Sequence, residues 1–173
     1  MTRTIYTIGH STRKIEEFEE LLEAFGVALL VDIRTVPRSR HVPHFNSGKL
    51  ARALARKQIA YRHLKLLGGL RKPSKESINT GWRNLSFRGY ADYMQSEDFQ
   101  AGLKELETLA AKKKTAMMCA EAVPWRCHRS LVADALSVRG WQVRHILSHA
   151  NQQIHQLTPF ASVEGESVTY PQR

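Results

Sequence analysis

The stretch CAEAVPWRCHRSL (119–131) gathers side chains that can do chemistry into a short length of chain. It holds two cysteines, a glutamate, two arginines and a histidine. Side chains of these types could form a metal centre, present a thiol nucleophile, or line a pocket for an anion. The spacing within the stretch and the rest of the chain bear on that choice.

The metal alternative would use Cys119, Cys127, His128 and His10. Structural zinc sites favour cysteine pairs separated by two to four residues. Here seven residues separate the two cysteines and the chain has no second pair, so only a catalytic site with three protein ligands would fit. We predict no metal and no cofactor. The simpler role for Cys119 is a small apolar side chain at the end of a strand.

The thiol alternative depends on Cys127, which stands at a predicted helix start between Arg126 and His128. A helix N-terminus and nearby cations both lower a thiol pKa and favour the nucleophilic thiolate. The pattern differs from a C-x5-R phosphate loop, because six residues separate Cys119 from Arg126. Cys127 is therefore a candidate nucleophile supported by its neighbours and not by a known motif.

The anion alternative needs only a helix start and cations, since the first backbone N–H groups of a helix are unpaired and the helix dipole adds partial positive charge. Arginines can also grip phosphate with paired hydrogen bonds. Simpler roles are a surface ion pair for Arg126, a structural ring for His128, and pairing with Asp32 or Glu121 for Arg129. We predict an anion pocket. The candidate anion ligands are Ser11, Arg34, Arg71, Arg126, His128 and Arg129.

Proton transfer is the remaining chemistry that the sequence suggests. Asp32 lies at the end of the second predicted strand and Glu121 follows the fourth, and both would lie near His10 if these strands neighbour the first. A carboxylate beside an imidazole can orient it for proton transfer. Equally, the two carboxylates could neutralise Arg34 and Arg129 in a buried network. The candidate catalytic residues are His10, Asp32, Glu121 and Cys127.

Alternating strand and helix patterns must position these residues. Apolar runs predict strands at 4–8, 28–33, 60–64, 115–119 and 142–147, and apolar residues at helical spacing predict helices at 14–25, 48–57, 90–113 and 127–139. Such alternation is typical of an α/β fold with a mostly parallel sheet. We predict a single doubly wound domain over residues 1–150, with strand order 3-2-1-4-5, and a polar C-terminal tail over 151–173 that could pack on it.

This topology predicts where the site lies. In a doubly wound fold ligands bind beyond the carboxyl ends of the strands, at the switch point of the sheet. His10 and Ser11 follow the first strand, Asp32 and Arg34 end the second, and Glu121 follows the fourth. The irregular stretch 65–88 is long enough to act as a lid.

Positive charge is concentrated in one part of the chain, whose total net charge is +10. Residues 34–88 hold fourteen Lys and Arg against one acidic residue, a net charge of +13, whereas the rest of the chain sums to −3. Such a block attracts phosphates and polyanions. It could also be a solvated face that keeps the protein soluble. Aromatic side chains interleaved with the block could stack on bases, although core or loop positions account for them as well.

Five sequence blocks stand out along residues 5–146. They are TIGHS, DIR with PRS, YRHLKLLGGLR, FRGYADYM, and CAE with CHR. Together these blocks resemble domain-of-unknown-function family 488, and the resemblance implies a compact α/β domain and no settled activity. The motif positions are His10, Ser11, Asp32, Arg34, Tyr61, Gly68, Gly69, Arg71, Gly89, Tyr90, Cys119, Glu121, Cys127, His128 and Arg129.

We therefore expect an enzyme acting on a phosphate-bearing small molecule or nucleic acid. The alternatives are a non-catalytic nucleic-acid-binding module and a thiol-dependent enzyme using Cys127. No apolar stretch approaches the ~18 residues of a membrane span, and the N-terminus lacks the pattern of a signal peptide. With only two cysteines, we expect a reducing cytoplasm and no membrane partner. The sequence leaves the oligomeric state open.

Overall fold

A computed structural model describes residues 3–172 and shows a central sheet with helices on both faces. The strands alternate with helices along the chain up to residue 148. The elements are β1 (Arg3–Gly9), α1 (Ile15–Ala24), β2 (Leu29–Asp32), α2 (Ser47–Arg56), β3 (Ala60–His63), α3 (Leu85–Tyr93), α4 (Glu97–Lys112), β4 (Thr115–Cys119), α5 (Arg129–Val138), β5 (Trp141–Ser148), β6 (Asn151–Ile154), β7 (Ser162–Glu164) and β8 (Ser167–Thr169).

The six-stranded sheet has the order β3-β2-β4-β1-β5-β6. The first five strands in this order are parallel, and β6 pairs with β5 in the antiparallel direction. The α/β class and the mostly parallel sheet are thereby confirmed. The strand order differs from 3-2-1-4-5 in that β1 and β4 are exchanged and β6 is added. Both β1 and β4 are apolar strands with buried centres, and the rules on crossover connections allow either position.

The two faces of the sheet bury separate apolar cores. Successive side chains of a strand point to opposite faces, so β1 sends Ile5 to one core and Tyr6 and Ile8 to the other. Helices α1 and α2 cover the face of Tyr6, through Phe18 and Leu50 among others. Helices α3, α4 and α5 cover the face of Ile5. The sheet is thus held rigidly from both sides, and the edge where its parallel strands end can carry a site.

Two helix boundaries differ from the predicted ones. The predicted helix over 90–113 is two helices, because Ser96 has extended backbone angles and its side chain caps α4 by accepting from the backbone N–H of Phe99. The helix predicted at 127–139 begins at Arg129. It is preceded by a 3-10 turn, Pro124–Arg126, and by Cys127 in an extended conformation.

The residues after β5 form further strands that the sequence did not predict. Strand β6 extends the sheet, and β7 and β8 form a separate hairpin. The segment packs on the rest of the protein, since Tyr170 is fully buried and its backbone N–H donates to the side chain of Asn79. Polar residues dominate here, so no apolar period reveals the strands. Over residues 3–172, no helix has the length and apolar character needed to cross a membrane.

Candidate functional site

The carboxyl ends of β2, β4 and β1 lie side by side and open into a cavity of about 350 Å³. Further walls come from the loops after β2 and β3, from α3, and from the segment between β4 and α5. Six of the ten predicted site residues line this cavity. They are His10, Arg34, Glu121, Arg126, Cys127 and His128.

Close backbone packing fixes the position of the segment after β4. The backbone N–H of His10 donates to the carbonyl of Cys119 at 3.0 Å, and that of Ser11 donates to the carbonyl of Ala120 at 2.9 Å. At Gly9 a Cβ atom would lie 1.6 Å from the carbonyl oxygen of Glu121, so only glycine fits. Ser11 adopts a left-handed conformation with φ 50°, which costs a non-glycine residue about 1 kcal/mol or more.

Asp32 and Arg34 form a buried ion pair at the end of β2. The Nε and Nη2 atoms of Arg34 donate to the two carboxylate oxygens of Asp32 at 2.9 and 2.7 Å. The hydroxyl of Tyr61 and the backbone N–H of Arg34 also donate to Asp32, which is fully buried. Asp32 therefore holds Arg34 in place and does not reach the cavity itself.

His10 is a neutral imidazole held between two partners. Its Nδ1 atom donates to the carbonyl of Ser11 at 2.8 Å, which leaves Nε2 to accept from Nη1 of Arg34 at 3.3 Å. Its ring stacks on Phe45 with centroids 4.6 Å apart. Burial, together with the Arg34 charge, lowers the pKa of His10 to about 4. The structure thus connects His10 to Asp32 only through Arg34.

Cys127 and His128 form a thiol–imidazole pair that also lines the cavity. The Nε2 atom of His128 donates to the carbonyl of Ile33 at 2.8 Å, so its Nδ1 atom is the acceptor that faces the Cys127 sulfur at 3.4 Å. Burial lowers the pKa of His128 to about 4. Burial also raises the pKa of the Cys127 thiol well above its ordinary value, and the neighbouring thiol of Cys119 raises it further.

Arg129 lies behind the cavity and not in its wall. Its side chain is fully buried and donates to the carbonyls of Glu121 and Ala122 at 3.0 and 3.3 Å and to the hydroxyl of Thr7 at 3.0 Å. Its Nε atom has no hydrogen-bond partner among residues 3–172. Arg129 thus fixes the backbone of the segment after β4, and its guanidinium does not face a ligand in the cavity.

A chain of hydrogen bonds continues from Arg129 through the interior. The Thr7 hydroxyl lies 2.6 Å from Nδ1 of His145, the Nε2 atom of His145 lies 2.9 Å from Nδ1 of His155, and Nε2 of His155 lies 2.7 Å from Asp134. The carboxylate can only accept, so when both imidazoles are neutral each ring accepts through Nδ1 and donates through Nε2, and every bond in the chain runs from Arg129 towards Asp134. Burial lowers the pKa of His145 to about 3, which keeps it neutral as this direction requires.

The remaining predicted residues also lie outside the cavity lining. Arg71 stacks on the ring of Tyr93 at 3.7 Å and donates to the carbonyl of Gly68. Ser11 contributes its backbone to the turn after β1. The structure therefore brings together six predicted residues, and it places Ser11, Asp32, Arg71 and Arg129 around them as supports.

Several residues that line the cavity were not predicted. Arg38 is an exposed cation on the loop after β2, and Leu70 lies on the loop after β3 with a left-handed backbone and 82% exposure. Gly69 packs so closely on His128 that a Cβ atom would lie 2.9 Å from its Nδ1 atom. The signal for Arg38 was present, because it belongs to the basic block and to the PRS motif. Residues 3–172 contain no group of three or more His, Cys, Asp or Glu side chains placed to hold a metal ion.

Comparison with known proteins assigns the chain to a family. The family model described as domain of unknown function DUF488 matches residues 14–136. The chain belongs to the DUF488 family. No similar curated protein and no similar solved structure was found. The matched region includes the walls contributed by residues 34–128, and His10 stands just before it.

The basic block of this DUF488 protein is mostly exposed. Within 4 Å, two of its exposed cations have a carboxylate partner among the described residues, in the pairs Lys57–Glu23 and Arg62–Glu105. Arg38 connects this surface to the cavity, because it is exposed and also lines the wall. The exposed cations are Arg38, Arg40, Lys49, Arg52, Arg56, Lys57, Arg62, Lys65, Lys72, Lys75 and Arg83.

Proposed function

We propose that this protein is an enzyme acting on a phosphate-bearing ligand, a nucleotide or a nucleic acid, in the cavity at the carboxyl ends of β1, β2 and β4. The observation that carries the proposal is the placement of Arg38 and Arg126. Both are exposed, both line the cavity, and neither has a carboxylate within 4 Å among the described residues. Free arginines in a concave site are suited to bind phosphate through paired hydrogen bonds.

The surroundings of the two arginines favour an anion. Helix α5 begins next to the cavity, so its dipole adds partial positive charge on the same side. The exposed cations of the basic block would increase the rate of encounter with a polyanion. Arg126 takes the role that the sequence had also given to Arg129, since Arg129 is buried behind the wall.

Acid–base work in the cavity falls to Glu121 and His10. Glu121 is exposed and lines the cavity, whereas Asp32 is fully occupied by Arg34 and Tyr61. His10 presents a neutral ring whose Nε2 atom accepts a hydrogen bond from Arg34. A ligand that binds Arg34 and breaks its hydrogen bond to His10 would free the Nε2 atom of His10 to accept a proton. Glu121, in the lining of the same cavity, would be the second acid–base group.

A second candidate, a thiol-dependent enzyme, is favoured by the Cys127–His128 pair. The sulfur of Cys127 lies 3.4 Å from the acceptor nitrogen of His128, and the carbonyl of Ile33 orients that ring. A nucleophile, a base and a group that orients the base are the parts of an activated nucleophile. The raised pKa of Cys127 and the lowered pKa of His128 both favour the neutral pair at rest, so the thiolate would form only if a bound ligand helped His128 to take the proton.

The third candidate, a nucleic-acid-binding module without catalysis, would use the exposed basic block alone. It fits the surface charge, but it gives no role to the cavity with its two histidines and two thiols. We also propose a cytoplasmic location, because both cysteines are free and a reducing compartment would keep them so.

The three candidates are separated by matched variants assayed against one panel of nucleotides and short nucleic acids. Arg126→Ala should weaken binding about 10- to 150-fold, the equivalent of a hydrogen bond to a charged group. Arg83→Ala, which removes an exposed cation of the same block outside the cavity, is the control and should have little effect.

Two further variants complete this test. Cys127→Ser should abolish turnover if the thiol is the nucleophile and should leave it nearly unchanged in the phosphate enzyme. Joint replacement of Arg52, Arg56 and Lys57 by alanine should abolish the function of a binding module and only slow encounter in an enzyme. Equal effects of Arg126→Ala and Arg83→Ala would overturn the proposal.

A further inference from the structure

A second cavity of about 330 Å³ lies beside the first, next to β5, β6 and the start of α5. Three aromatic side chains line it, those of Trp82, Trp125 and Phe160. The rings of Trp82 and Phe160 meet edge to face at 4.8 Å, and Trp125 is 58% exposed. Such a volume is within the range of small-ligand sites, which are lined mainly by apolar and aromatic side chains.

This second cavity has no charged lining. No Lys, Arg, Asp or Glu lines it, in contrast to the first cavity. Its two histidines, His145 and His155, have all four ring nitrogens engaged in the chain from Thr7 to Asp134. Both rings are therefore fixed in one orientation and present mainly carbon edges and faces. An uncharged planar ligand suits these walls, and a phosphate does not.

Hydrogen-bonding capacity in the second cavity comes from uncharged groups. The indole N–H of Trp82 is buried and has no partner among residues 3–172. The exposed amides of Gln153 and Gln156 also line the cavity and offer both donors and acceptors. A heteroaromatic ring with donors and acceptors along its edge would match this set, whereas a purely apolar ligand would leave it unused.

One short turn separates the two cavities. The 3-10 turn Pro124–Arg126 contributes Pro124 and Trp125 to the second cavity and Arg126 to the first, and Cys127 follows in the first. The aromatic wall and the free arginine are thus consecutive residues of the same turn. A ligand that carries a planar ring and a phosphate on one molecule could contact both.

We propose that the second cavity binds a nucleobase of the phosphate-bearing ligand, with the base stacked on Trp125 and its phosphate held by Arg126. The proposal rests on the proposed function and narrows it to nucleotides and single-stranded nucleic acid, in which the bases are free to stack. Base–aromatic stacking tolerates every base, because every base has a π face. The site would therefore recognise bases without strong sequence preference.

The test compares a short single-stranded DNA with an abasic strand that has the same number of phosphates. The wild-type protein should bind the natural strand more tightly, by roughly 5- to 150-fold for one stacked base. Trp125→Ala should remove that preference without changing affinity for the abasic strand, and Trp125→Phe should retain most of it. Val163→Ala, an exposed apolar side chain on β7 outside both cavities, is the control.

The possible results separate this inference from the proposed function. Equal affinity of the wild-type protein for both strands would overturn the base site and leave the phosphate enzyme standing. A preference that survives in Trp125→Ala would also overturn the inference, because the base would then bind elsewhere. If neither strand binds but uncharged nucleosides do so through Trp125, the base site stands and the proposed function falls. Absence of binding to strands and nucleosides alike would overturn both.

Discussion

Two buried arginines, Arg34 just after β2 and Arg129 at the start of α5, hold their positive charges in different ways. Arg34 pairs directly with the carboxylate of Asp32, and its remaining nitrogen reaches His10 at the cavity wall. Arg129 donates to two carbonyls and to the hydroxyl of Thr7. The carboxylate of Asp134 is connected to it only through the hydrogen bonds of Thr7, His145 and His155. Both arrangements bury a cation, but only the first leaves it at the edge of a cavity.

The difference separates a functional arginine from a structural one. Arg34 pairs directly with Asp32 and lines the cavity, so it can exchange its hydrogen bond to His10 for one to a ligand. Arg129 is fully buried, so any lost partner leaves an unsatisfied charge in a medium of low dielectric constant. We therefore expect changes around Arg129 to act on stability and changes around Arg34 to act on both stability and the site.

The largest expected effect on stability comes from replacing Asp134, the buried carboxylate at the end of the hydrogen-bond chain from Arg129. Asp134 accepts hydrogen bonds from His155, Tyr170 and both the backbone and the side chain of Thr158. Asp134→Ala should lower the free energy of unfolding by about 3–5 kcal/mol, because it leaves several buried donors unpaired. Urea denaturation measures this change. A loss below about 1 kcal/mol would show that the donors around Asp134 find other partners and that the chain of hydrogen bonds contributes little to stability.

A smaller effect is expected when the charge of Asp32, the carboxylate partner of Arg34, is removed. Asp32→Asn keeps the shape of the side chain and removes its charge, so Arg34 loses a buried partner. We expect a loss of about 1.5–3 kcal/mol in the free energy of unfolding, because Arg34 borders the cavity and water can replace part of the interaction. If Asp32→Asn proves more destabilising than Asp134→Ala, the distinction between the two arginines is wrong.

Low pH should destabilise the hydrogen-bond networks around Arg34 and Arg129, but over different ranges of pH. His10 and His145 each stand near one of the two arginines, and burial lowers their pKa values to about 4 and about 3 from an ordinary 6.5. Between pH 6.5 and these values the unfolded chain binds protons that the folded chain does not. Stability is therefore fully present above pH 6.5 and falls as the pH drops, by roughly 1.4 kcal/mol per pH unit for each histidine.

Nuclear magnetic resonance titration of the imidazole signals tests this expectation directly. His10 should take up its proton near pH 4, and His145 should remain neutral to a lower pH. Titration of His145 near pH 6.5 would contradict the one-directional chain of hydrogen bonds, because a protonated ring could not accept from Thr7.

The smallest effect is expected for Tyr61, which can be compared with Tyr170 because each donates to one of the two carboxylates. Tyr61 is half-buried and donates to Asp32, whereas Tyr170 is fully buried and donates to Asp134. Tyr61→Phe should lower the free energy of unfolding by about 0.5–1 kcal/mol, since water can take the place of the hydroxyl, and Tyr170→Phe should lower it by about 1.5–3 kcal/mol. Equal losses of unfolding free energy for the two variants, in thermal or urea unfolding, would show that the exposure of the tyrosine does not determine how much its hydroxyl contributes to stability.

Much of the fold could be predicted because its strands and helices carry strong apolar periods. The five parallel strands and the helices on both faces follow from such patterns, and so does the meeting of three strand ends at one cavity. The positions of β1 and β4 could not be separated, since both are buried apolar strands with similar patterns. Strands β6 to β8 were missed because their residues are largely polar and exposed.

For the site, residue types could be predicted better than side-chain directions. Arg126 and Arg129 both flank the start of a helix, yet one is exposed at the cavity and the other is fully buried behind it. The side of the backbone on which each lies depends on the 3-10 turn Pro124–Arg126 and the extended Cys127, which no periodic pattern indicates. His145 and His155 were missed for a related reason, because only tertiary contacts bring them to Asp134.

The hydrogen bonds to Asp134 also indicate which part of the chain must be present for the protein to fold. Three described residues donate to it, and all three, His155, Thr158 and Tyr170, come from the polar segment after β5. A recombinant piece cut to the family match, residues 14–136, would lack these donors and also β1 and β5, two adjoining strands of the sheet. Expression of the matched region alone should therefore give insoluble or unfolded material, and a shortened version of this protein must keep both flanks.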